Sequence, residues 1–280
     1  MSTTQTERPQ AAYALGRTPE EYDRLRMQAR VWEIATGRLL DRVGLTRGTA
    51  CLDAGCGPGE TMRLMAGRTG PAGSVLGIDT DSSLGAMALA TLHDAGHRQC
   101  SFHAQDLTGG EPVPGAPFDL VYARLLLFHL PQRAAVLARL WDAVAPGGHL
   151  LVQDYDIRGI TVLPALASVG ELGRVITGVF HAVGADVHTG ARLPQLFAQA
   201  GIGHPDGVDV AGRIEPLATG RAFLERTFRS VLPVALAYGI TTSAGATELL
   251  ATIDRDATRF ADCPMGWPLL IGAWKRKERS

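Results

Sequence analysis

The sequence predicts an α/β protein built on a doubly wound, mostly parallel sheet. Three observations in the 280-residue chain predict this fold: five short apolar runs alternate with segments of helical periodicity, alternating glycines follow the first run, and acidic residues close several runs. Short runs separated by helices are typical of parallel strands joined by crossover helices. Ligands of such sheets bind beyond the carboxyl ends of the strands.

The first predicted strand leads directly into a glycine loop, in the sequence CLDAGCGPGE at 51–60. The three glycines remove side chains where the strand turns into a helix, so a ligand can lie against bare backbone. The first amides of the following helix can donate hydrogen bonds to a polar or anionic group. A dinucleotide-binding G-x-G-x-x-G loop would need its third glycine at position 60, which is Glu60.

Four further apolar runs follow the glycine loop and complete the predicted parallel strands. One Asp after a strand is commonly a turn residue or a helix cap. Three of them at successive strand ends, around a glycine loop, favour a binding site instead. The runs lie at 74–79, 101–106, 118–122 and 149–154, and the residues at the carboxyl ends of the first four strands are Asp53, Asp79, Asp106 and Tyr122.

The loop, with Asp53 before it, resembles the first motif of the class I S-adenosylmethionine-dependent methyltransferases, and the acids at the next two strand ends support this resemblance. The resemblance runs from about residue 17 to 276 and implies a Rossmann-like sheet with an antiparallel last strand. It implies S-adenosyl-L-methionine as the cofactor and S-adenosyl-L-homocysteine as the product. The expected cofactor-binding residues are Tyr13, Gln28, Asp53, Gly55, Cys56, Gly57, Gly59, Asp79, Thr80, Gln105, Asp106, Leu107, Ala123 and Arg124.

The resemblance also implies roles for some of these residues. Asp79 would hold the ribose hydroxyls, Asp106 the adenine amino group, and Leu107 would donate a backbone hydrogen bond to the ring. The glycine loop, Ala123 and Arg124 would face the methionine part of the cofactor.

Two domains are expected: an N-terminal helical cap at 1–44 and a methyltransferase domain at 45–280. A capping box with proline at the first helical position, Thr18–Glu21, opens the cap helix, and Gly44 ends it. In the family, helices before the first strand commonly close over the cofactor. Tyr13, Tyr22 and Gln28 are therefore candidates for a lid, although core packing is the preferred role for Tyr22.

Two segments after the fifth strand, at about 163–185 and 218–263, are predicted helical inserts. They interrupt the half of the sheet where the acceptor must arrive, so we expect them to form a helical lid over a small-molecule pocket. Candidate substrate contacts are Tyr155, Phe180 and His181. The helical stripe that contains Phe223 and Phe228 is interpreted as lid packing.

Methyl transfer from a sulfonium is an in-line displacement, which depends on positioning and on excluding water. A base is useful only where the acceptor must lose a proton. His129 follows the fourth strand and is the candidate catalytic residue, although packing or a cofactor contact is the preferred interpretation. The alternative catalytic candidates are Asp154, Tyr155, Asp156 and His181, and no carboxylate cluster predicts a metal.

Composition excludes several partners. The net charge of −1 offers no general attraction to nucleic acid, and 46% hydrophobic residues are ample for a core. The first ten residues lack the apolar stretch of a signal peptide, and no run is long enough to span a membrane. The four cysteines show no zinc-binding spacing. A cytoplasmic location is expected, and a homodimer is left open.

The predicted function is methyl transfer to the oxygen, nitrogen or carbon of a small molecule, in specialised metabolism. An alternative is a protein of the same fold that uses the cofactor without methyl transfer, as a cyclisation or rearrangement catalyst or as a non-catalytic binder. Formation of S-adenosylhomocysteine separates the two. A nicotinamide-dependent dehydrogenase is disfavoured by the position of the third glycine.

Overall fold

The computed structural model describes residues 19–279. The helices are α1 Pro19–Val31, α2 Glu33–Arg42, α3 Glu60–Thr69, α4 Ser82–Asp94, α5 Arg133–Asp142, α6 Ala167–Ala182, α7 Thr189–Gln199, α8 Leu217–Ala237 and α9 Ser243–Arg259. The strands are β1 Ala50–Ala54, β2 Ser74–Asp79, β3 Cys100–Ala104, β4 Phe118–Arg124, β5 Val144–Asp156, β6 Thr161–Val162, β7 Gly207–Ala211, β8 Ile214–Pro216, β9 Pro264–Gly266 and β10 Leu269–Arg276.

Seven strands form the main sheet in the order β3-β2-β1-β4-β5-β10-β7. Strands β1 to β5 pair in parallel, whereas β10 runs antiparallel to both β5 and β7. The doubly wound, mostly parallel sheet with an antiparallel last strand is therefore confirmed. The chain order reverses between β1 and β4, which is where sheets of this kind bind ligands.

Both faces of the sheet are covered by helices, because alternate residues of its central strands are apolar on both sides. Leu52 and Val121 face one layer, which contains α5 and α7. Their neighbours Cys51 and Tyr122 face the other layer, which contains α2 and α3. The two layers hold the carboxyl ends of β1, β2 and β4 in fixed positions.

The helices α6, α8 and α9 pack on one another and form a third hydrophobic cluster. A small second sheet, in the order β6-β9-β8, belongs to the same region. The cluster also includes Phe128 and Tyr155, which lie at the carboxyl ends of β4 and β5. The predicted helical inserts therefore pack against the edge of the sheet where ligands bind.

Three boundaries differ from the sequence prediction. The single helix expected before Gly44 is divided at Trp32, whose backbone is not helical. The segment between the two inserts predicts one strand near 206–215, but the structure divides it into β7 and β8, which belong to different sheets. The sequence Pro146-Gly147-Gly148 predicts a break before the fifth strand, but these residues lie within β5, where the pairing register with β4 shifts. Within the described residues, no helix has the length and apolar character needed to cross a membrane.

Candidate functional site

A cavity of about 200 Å³ lies against the glycine loop at the carboxyl edge of the sheet. We call it the first cavity. Helix α1 covers one side of it, where the Tyr22 hydroxyl donates a hydrogen bond of 2.9 Å to Oδ2 of Asp81. The lining residues include Tyr22, Leu25, Gln28, Asp53, Gly55, Cys56, Gly57, Glu60, Asp79, Thr80, Asp81, Gln105, Asp106, Leu107, Arg124, Leu125 and His129.

The glycine loop exposes its backbone to this cavity. Gly55, Gly57 and Gly59 all have positive φ, at 72°, 48° and 77°, a conformation that favours glycine. A Cβ on Gly57 would meet no atom within 4 Å, so a side chain there would project into open space. On Gly59, by contrast, a Cβ would lie 3.0 Å from the Cβ of Ala88 on α4. Gly57 keeps the backbone accessible, whereas Gly59 allows α3 and α4 to approach.

Asp79 connects the loop to the end of β2. Its Oδ2 accepts a hydrogen bond of 2.9 Å from the amide of Gly57, and its Oδ1 accepts one of 3.0 Å from the amide of Asp81. An ionised carboxylate has about four acceptor positions. Asp79 can therefore hold the loop and still accept hydrogen bonds from hydroxyl groups of a ligand.

Two buried oxygen atoms of cavity-lining residues have no hydrogen-bond partner among the described residues: Oδ2 of Asp53 and Oε1 of Gln105. Nε2 of Gln105 donates to the carbonyl of Pro112 at 3.1 Å, which fixes the amide orientation. Burial raises the pKa of Asp53 to about 7, while the nearby Arg124 cation acts in the opposite direction. The cavity therefore contains acceptors that a ligand with N–H or O–H groups would satisfy.

Asp106 lies at the rim, where its Oδ1 accepts hydrogen bonds from the amide and hydroxyl of Thr108 at 2.8 and 2.7 Å. Arg124 lies deeper and donates from Nη1 to the Thr36 hydroxyl at 3.0 Å. The lining thus has a carboxylate at its mouth and a cation beside the glycine loop. A ligand with a hydrogen-bond donor at one end and a carboxylate at the other matches both side chains.

A smaller, mostly apolar cavity of about 80 Å³ adjoins the first one, and we call it the second cavity. Four residues line both cavities and form their shared wall: Leu25, Gln28, Leu125 and His129. The remaining lining residues are Arg24, Phe128, Tyr155, Ile157, Ile160, Ile176, Phe180, Phe223, Leu224, Thr227 and Pro268.

His129 belongs to a short 3₁₀ turn after β4, Leu127–His129. Burial is the main cause that lowers its pKa to about 3, and the cations of Arg24 and Arg133 act in the same direction. The imidazole is therefore neutral at neutral pH. Its ring packs edge-on against Phe128, with the ring centroids 4.7 Å apart. A group with so low a pKa is a weak base, which favours a contact role over proton abstraction.

Three predicted site residues line neither cavity. His181 is exposed on α6, because a helix turns about 100° per residue and its neighbour Phe180 faces inward. Ala123 is fully buried in the core between the sheet and α5. Gly59 packs against α4, as described above. Tyr13 lies outside the described residues, and the other predicted cofactor and substrate residues all line a cavity.

The two acids predicted as alternative catalysts line neither cavity and accept hydrogen bonds from neighbouring groups of the protein. Oδ2 of Asp154 accepts the amide of Phe128 at 2.9 Å, so this carboxylate holds the turn that carries His129. Asp156 is bound by Arg158 and by Nδ1 of His188, the latter at 3.0 Å. No grouping of three or more metal-binding side chains occurs within residues 19–279.

Sequence reasoning missed the charged pair Glu21 and Arg24, which lies buried on α1 next to the second cavity. Charges three residues apart on a helix are usually solvated, so the spacing alone did not predict that this pair is buried. It also missed Phe223 and Ile176, which line the second cavity although they belong to helical apolar stripes. Such stripes have the same pattern whether they pack on a core or enclose a ligand.

Comparisons with known proteins agree with this geometry. Residues 51–148 match a family model described as a methyltransferase domain. Trans-aconitate 2-methyltransferase of Variovorax paradoxus is 37% identical over 120 residues, or 43% of this chain and 44% of that protein. The chain therefore matches less than half the length of this relative.

Solved structures are similar over more of the chain. A candidate methyltransferase from Bacillus halodurans C-125 has a TM-score of 0.60 at 16% identity, and the match covers 87% of this chain and 98% of that one. Phosphoethanolamine N-methyltransferase 2 of Haemonchus contortus, solved with S-adenosyl-L-methionine, has a TM-score of 0.52 at 18% identity, with coverage of 88% and 52%. These likenesses concern the fold. With the glycine loop and the family match, they show that the chain contains a methyltransferase domain and has the fold of the class I S-adenosylmethionine-dependent methyltransferases.

Proposed function

We propose that the protein transfers a methyl group from S-adenosylmethionine in the first cavity to a small-molecule acceptor in the second. The observation that carries the proposal is the shared wall of four residues, Leu25, Gln28, Leu125 and His129. In-line displacement needs the two reactants in contact with water excluded. Two adjoining cavities at the carboxyl edge of the sheet meet that requirement.

The residues of the first cavity fit this cofactor. The two unpartnered oxygens, of Asp53 and Gln105, accept hydrogen bonds, and the cofactor brings amino groups that donate them. The open space at Gly57 admits a ligand against the backbone. Arg124 supplies a cation for the carboxylate of the methionine part. By the family resemblance, Asp79 would hold the ribose hydroxyls and Asp106 the adenine amino group, with the amide of Leu107 near the ring.

When bound, the cofactor supplies an electrophilic methyl group on a sulfonium sulfur. The chain's own contribution is to position the acceptor and to exclude water. Leu25 and Leu125 make the shared wall apolar, and the neutral His129 adds a polar contact without a charge. We propose His129 as a contact residue and Tyr155 and Phe180 as acceptor contacts, because both line the second cavity.

The proposal includes the segments 163–185 and 218–263 as the lid and the wall of the acceptor cavity. They supply Ile176, Phe180, Phe223 and Leu224 to its lining. It also assigns helices α1 and α2 to a cap at 1–44 that precedes the methyltransferase domain at 45–280. A role in specialised metabolism, the absence of a nucleic-acid partner and a possible homodimer are further parts of the proposal.

Transfer of a deuterated methyl group tests the proposed function. The protein is incubated with S-adenosyl-[methyl-D₃]-methionine and a panel of small phenols, amines and ketones, and products are followed by mass spectrometry. The proposal predicts equal amounts of S-adenosylhomocysteine and of one D₃-methylated product. An acceptor that is converted while the cofactor stays intact would favour the cyclisation or rearrangement alternative. Tight cofactor binding with no converted acceptor would favour a non-catalytic binder.

A further inference from the structure

The Tyr155 hydroxyl receives hydrogen bonds from two groups. The indole Nε1 of Trp32 donates to it at 2.7 Å, and Nε2 of Gln28 donates to it at 2.8 Å. An indole N–H can only donate. The phenol oxygen therefore acts as an acceptor toward Trp32, and the same conclusion holds for Gln28 once its amide orientation is known.

The orientation of the Gln28 amide is fixed by Arg24. Nη1 of Arg24 lies 2.8 Å from Oε1 of Gln28, and a guanidinium has no acceptor atom. The oxygen of the amide must face Arg24, so its NH₂ group must face Tyr155. This network resolves the usual ambiguity between the oxygen and nitrogen of an amide side chain.

The single hydrogen of the Tyr155 hydroxyl can therefore point toward neither neighbour. Within residues 19–279 the hydroxyl makes no further hydrogen bond, and Tyr155 lines the second cavity. The hydrogen is thus available to a molecule in that cavity. Burial also raises the pKa of Tyr155 to about 12, so the hydroxyl keeps its proton at neutral pH.

The part of the second cavity formed by residues 19–279 provides no uncompensated charge. Among its described lining residues the one ionised side chain is Arg24, which Glu21 binds through two hydrogen bonds of 2.8 and 2.6 Å. Glu21 in turn accepts a hydrogen bond of 2.7 Å from the hydroxyl of Ser230 on α8. The remaining polar lining groups are uncharged, and His129 is neutral. The Thr227 hydroxyl donates a hydrogen bond to the carbonyl of Phe223.

Aromatic side chains make up much of the cavity wall. Phe128 and Phe180 meet edge to face with their ring centroids 4.8 Å apart, and Phe223 stacks on Trp267 at 4.3 Å. An anionic acceptor would have to leave water for this apolar surface without a free cation to meet it, which is costly. A flat, uncharged molecule matches the wall.

We propose that Tyr155 is a positioning residue whose hydroxyl donates a hydrogen bond to the methyl acceptor, and that the acceptor is an uncharged, largely apolar molecule bearing a hydrogen-bond-accepting oxygen or nitrogen. This inference rests on the proposed function, because it assigns the second cavity to the acceptor. An uncharged acceptor would distinguish this chain from an enzyme that methylates a polycarboxylate such as trans-aconitate.

A binding experiment on the full chain, saturated with S-adenosylhomocysteine, tests the inference. The probes are 1-indanone, indane and trans-aconitate, and Trp32 and Trp267 beside the cavity report binding through their fluorescence. Indane has the ring system of 1-indanone without the carbonyl. The variants are Tyr155→Phe and, as a matched control, Tyr122→Phe, which removes a buried hydroxyl that donates to Gln153 away from both cavities.

We expect 1-indanone to bind the wild type about 5- to 10-fold more tightly than Tyr155→Phe, as for the loss of one hydrogen bond. Indane should bind both equally, Tyr122→Phe should behave as the wild type, and trans-aconitate should not compete. The inference is overturned if 1-indanone does not bind, if Tyr155→Phe weakens both ring probes equally, or if trans-aconitate displaces 1-indanone. Failure of S-adenosylhomocysteine itself to bind would overturn the proposed function, and the inference with it.

Discussion

Nε2 of Gln28 donates a hydrogen bond of 2.8 Å to the hydroxyl of Tyr155, although the two residues are 127 positions apart in the chain. Gln28 lies on α1 and lines both cavities, whereas Tyr155 lies on β5 and lines the second alone. The bond therefore joins the N-terminal helix to the sheet at the point where the two cavities meet. Helix α1 of the proposed cap therefore contributes side chains to the walls of both cavities.

Asp79→Ala should weaken binding of S-adenosylhomocysteine. The change removes the carboxylate expected to hold both ribose hydroxyls and also its bond to the Gly57 amide. Hydrogen bonds to a charged group contribute about 1.5–3 kcal/mol, or roughly ten- to a hundredfold in affinity. Calorimetry measures the change, with Asp119→Ala as the control, because Asp119 also accepts a backbone amide but lies outside both cavities. Equal affinities of the two variants, or tighter binding of NAD by the wild type, would refute the assignment.

His129→Ala should weaken cofactor binding and change the chemical step far less. The imidazole is neutral and lies on the wall of both cavities, so its loss opens space without removing a strong base. Single-turnover rates at saturating cofactor, together with calorimetric affinities, distinguish the two effects. His149→Ala is the control, since burial also lowers the pKa of His149 but it lines neither cavity. A roughly 10³-fold slower chemical step at unchanged affinity would instead identify a general base.

Asp53→Asn should stabilise the ligand-free protein at high pH. Burial raises the pKa of Asp53 from 3.8 to about 7, so ionisation lowers the free energy of unfolding as pH rises from about 4 to 7. At pH 8 the free energy of unfolding of the variant should exceed that of the wild type by on the order of 1–4 kcal/mol. This difference should shrink as the pH falls through 7. Urea denaturation at several pH values measures this, with Asp119→Asn as an exposed control. A variant less stable than the wild type at pH 8 would contradict the prediction.

Ligand binding should slow hydrogen exchange in the lid segments 163–185 and 218–263. These segments contribute side chains to the second cavity, and lids open at low free-energy cost. The comparison is between ligand-free protein, the S-adenosylhomocysteine complex, and that complex with 1-indanone. Amides of β1 and β4, in the centre of the sheet, serve as the internal reference. Unchanged exchange in both segments would indicate a rigid insert.

Much of the first cavity could be predicted from the sequence because its residues belong to consecutive strand ends. Asp53 and Asp79 lie at the carboxyl ends of β1 and β2, Asp106 follows β3, and parallel strands bring their carboxyl ends to one edge. Local pattern was therefore enough to place them together. Gly59 shows the limit of that reasoning, because a glycine of the same loop serves the packing of α3 against α4.

The second cavity could not be predicted in detail because it is assembled from distant parts of the chain. Its polar network joins α1 to β5 and α8, and no local spacing encodes the contacts between Gln28, Tyr155 and Trp32. Side-chain direction on a helix was a further obstacle. Phe180 lines the cavity and the adjacent His181 faces solvent. The sequence pattern of α6 does not predict which of these two neighbours faces inward.

A crystal structure of the protein with S-adenosylhomocysteine tests the central claim most directly. The account predicts the ligand in the first cavity, with its ribose at Asp79, its adenine near Asp106, and its sulfur facing the shared wall beside Leu125 and His129. The second cavity would then lie directly beyond the sulfur, in line with an acceptor. Density that places the sulfur away from this wall, or that places the ligand in the second cavity, would contradict the account.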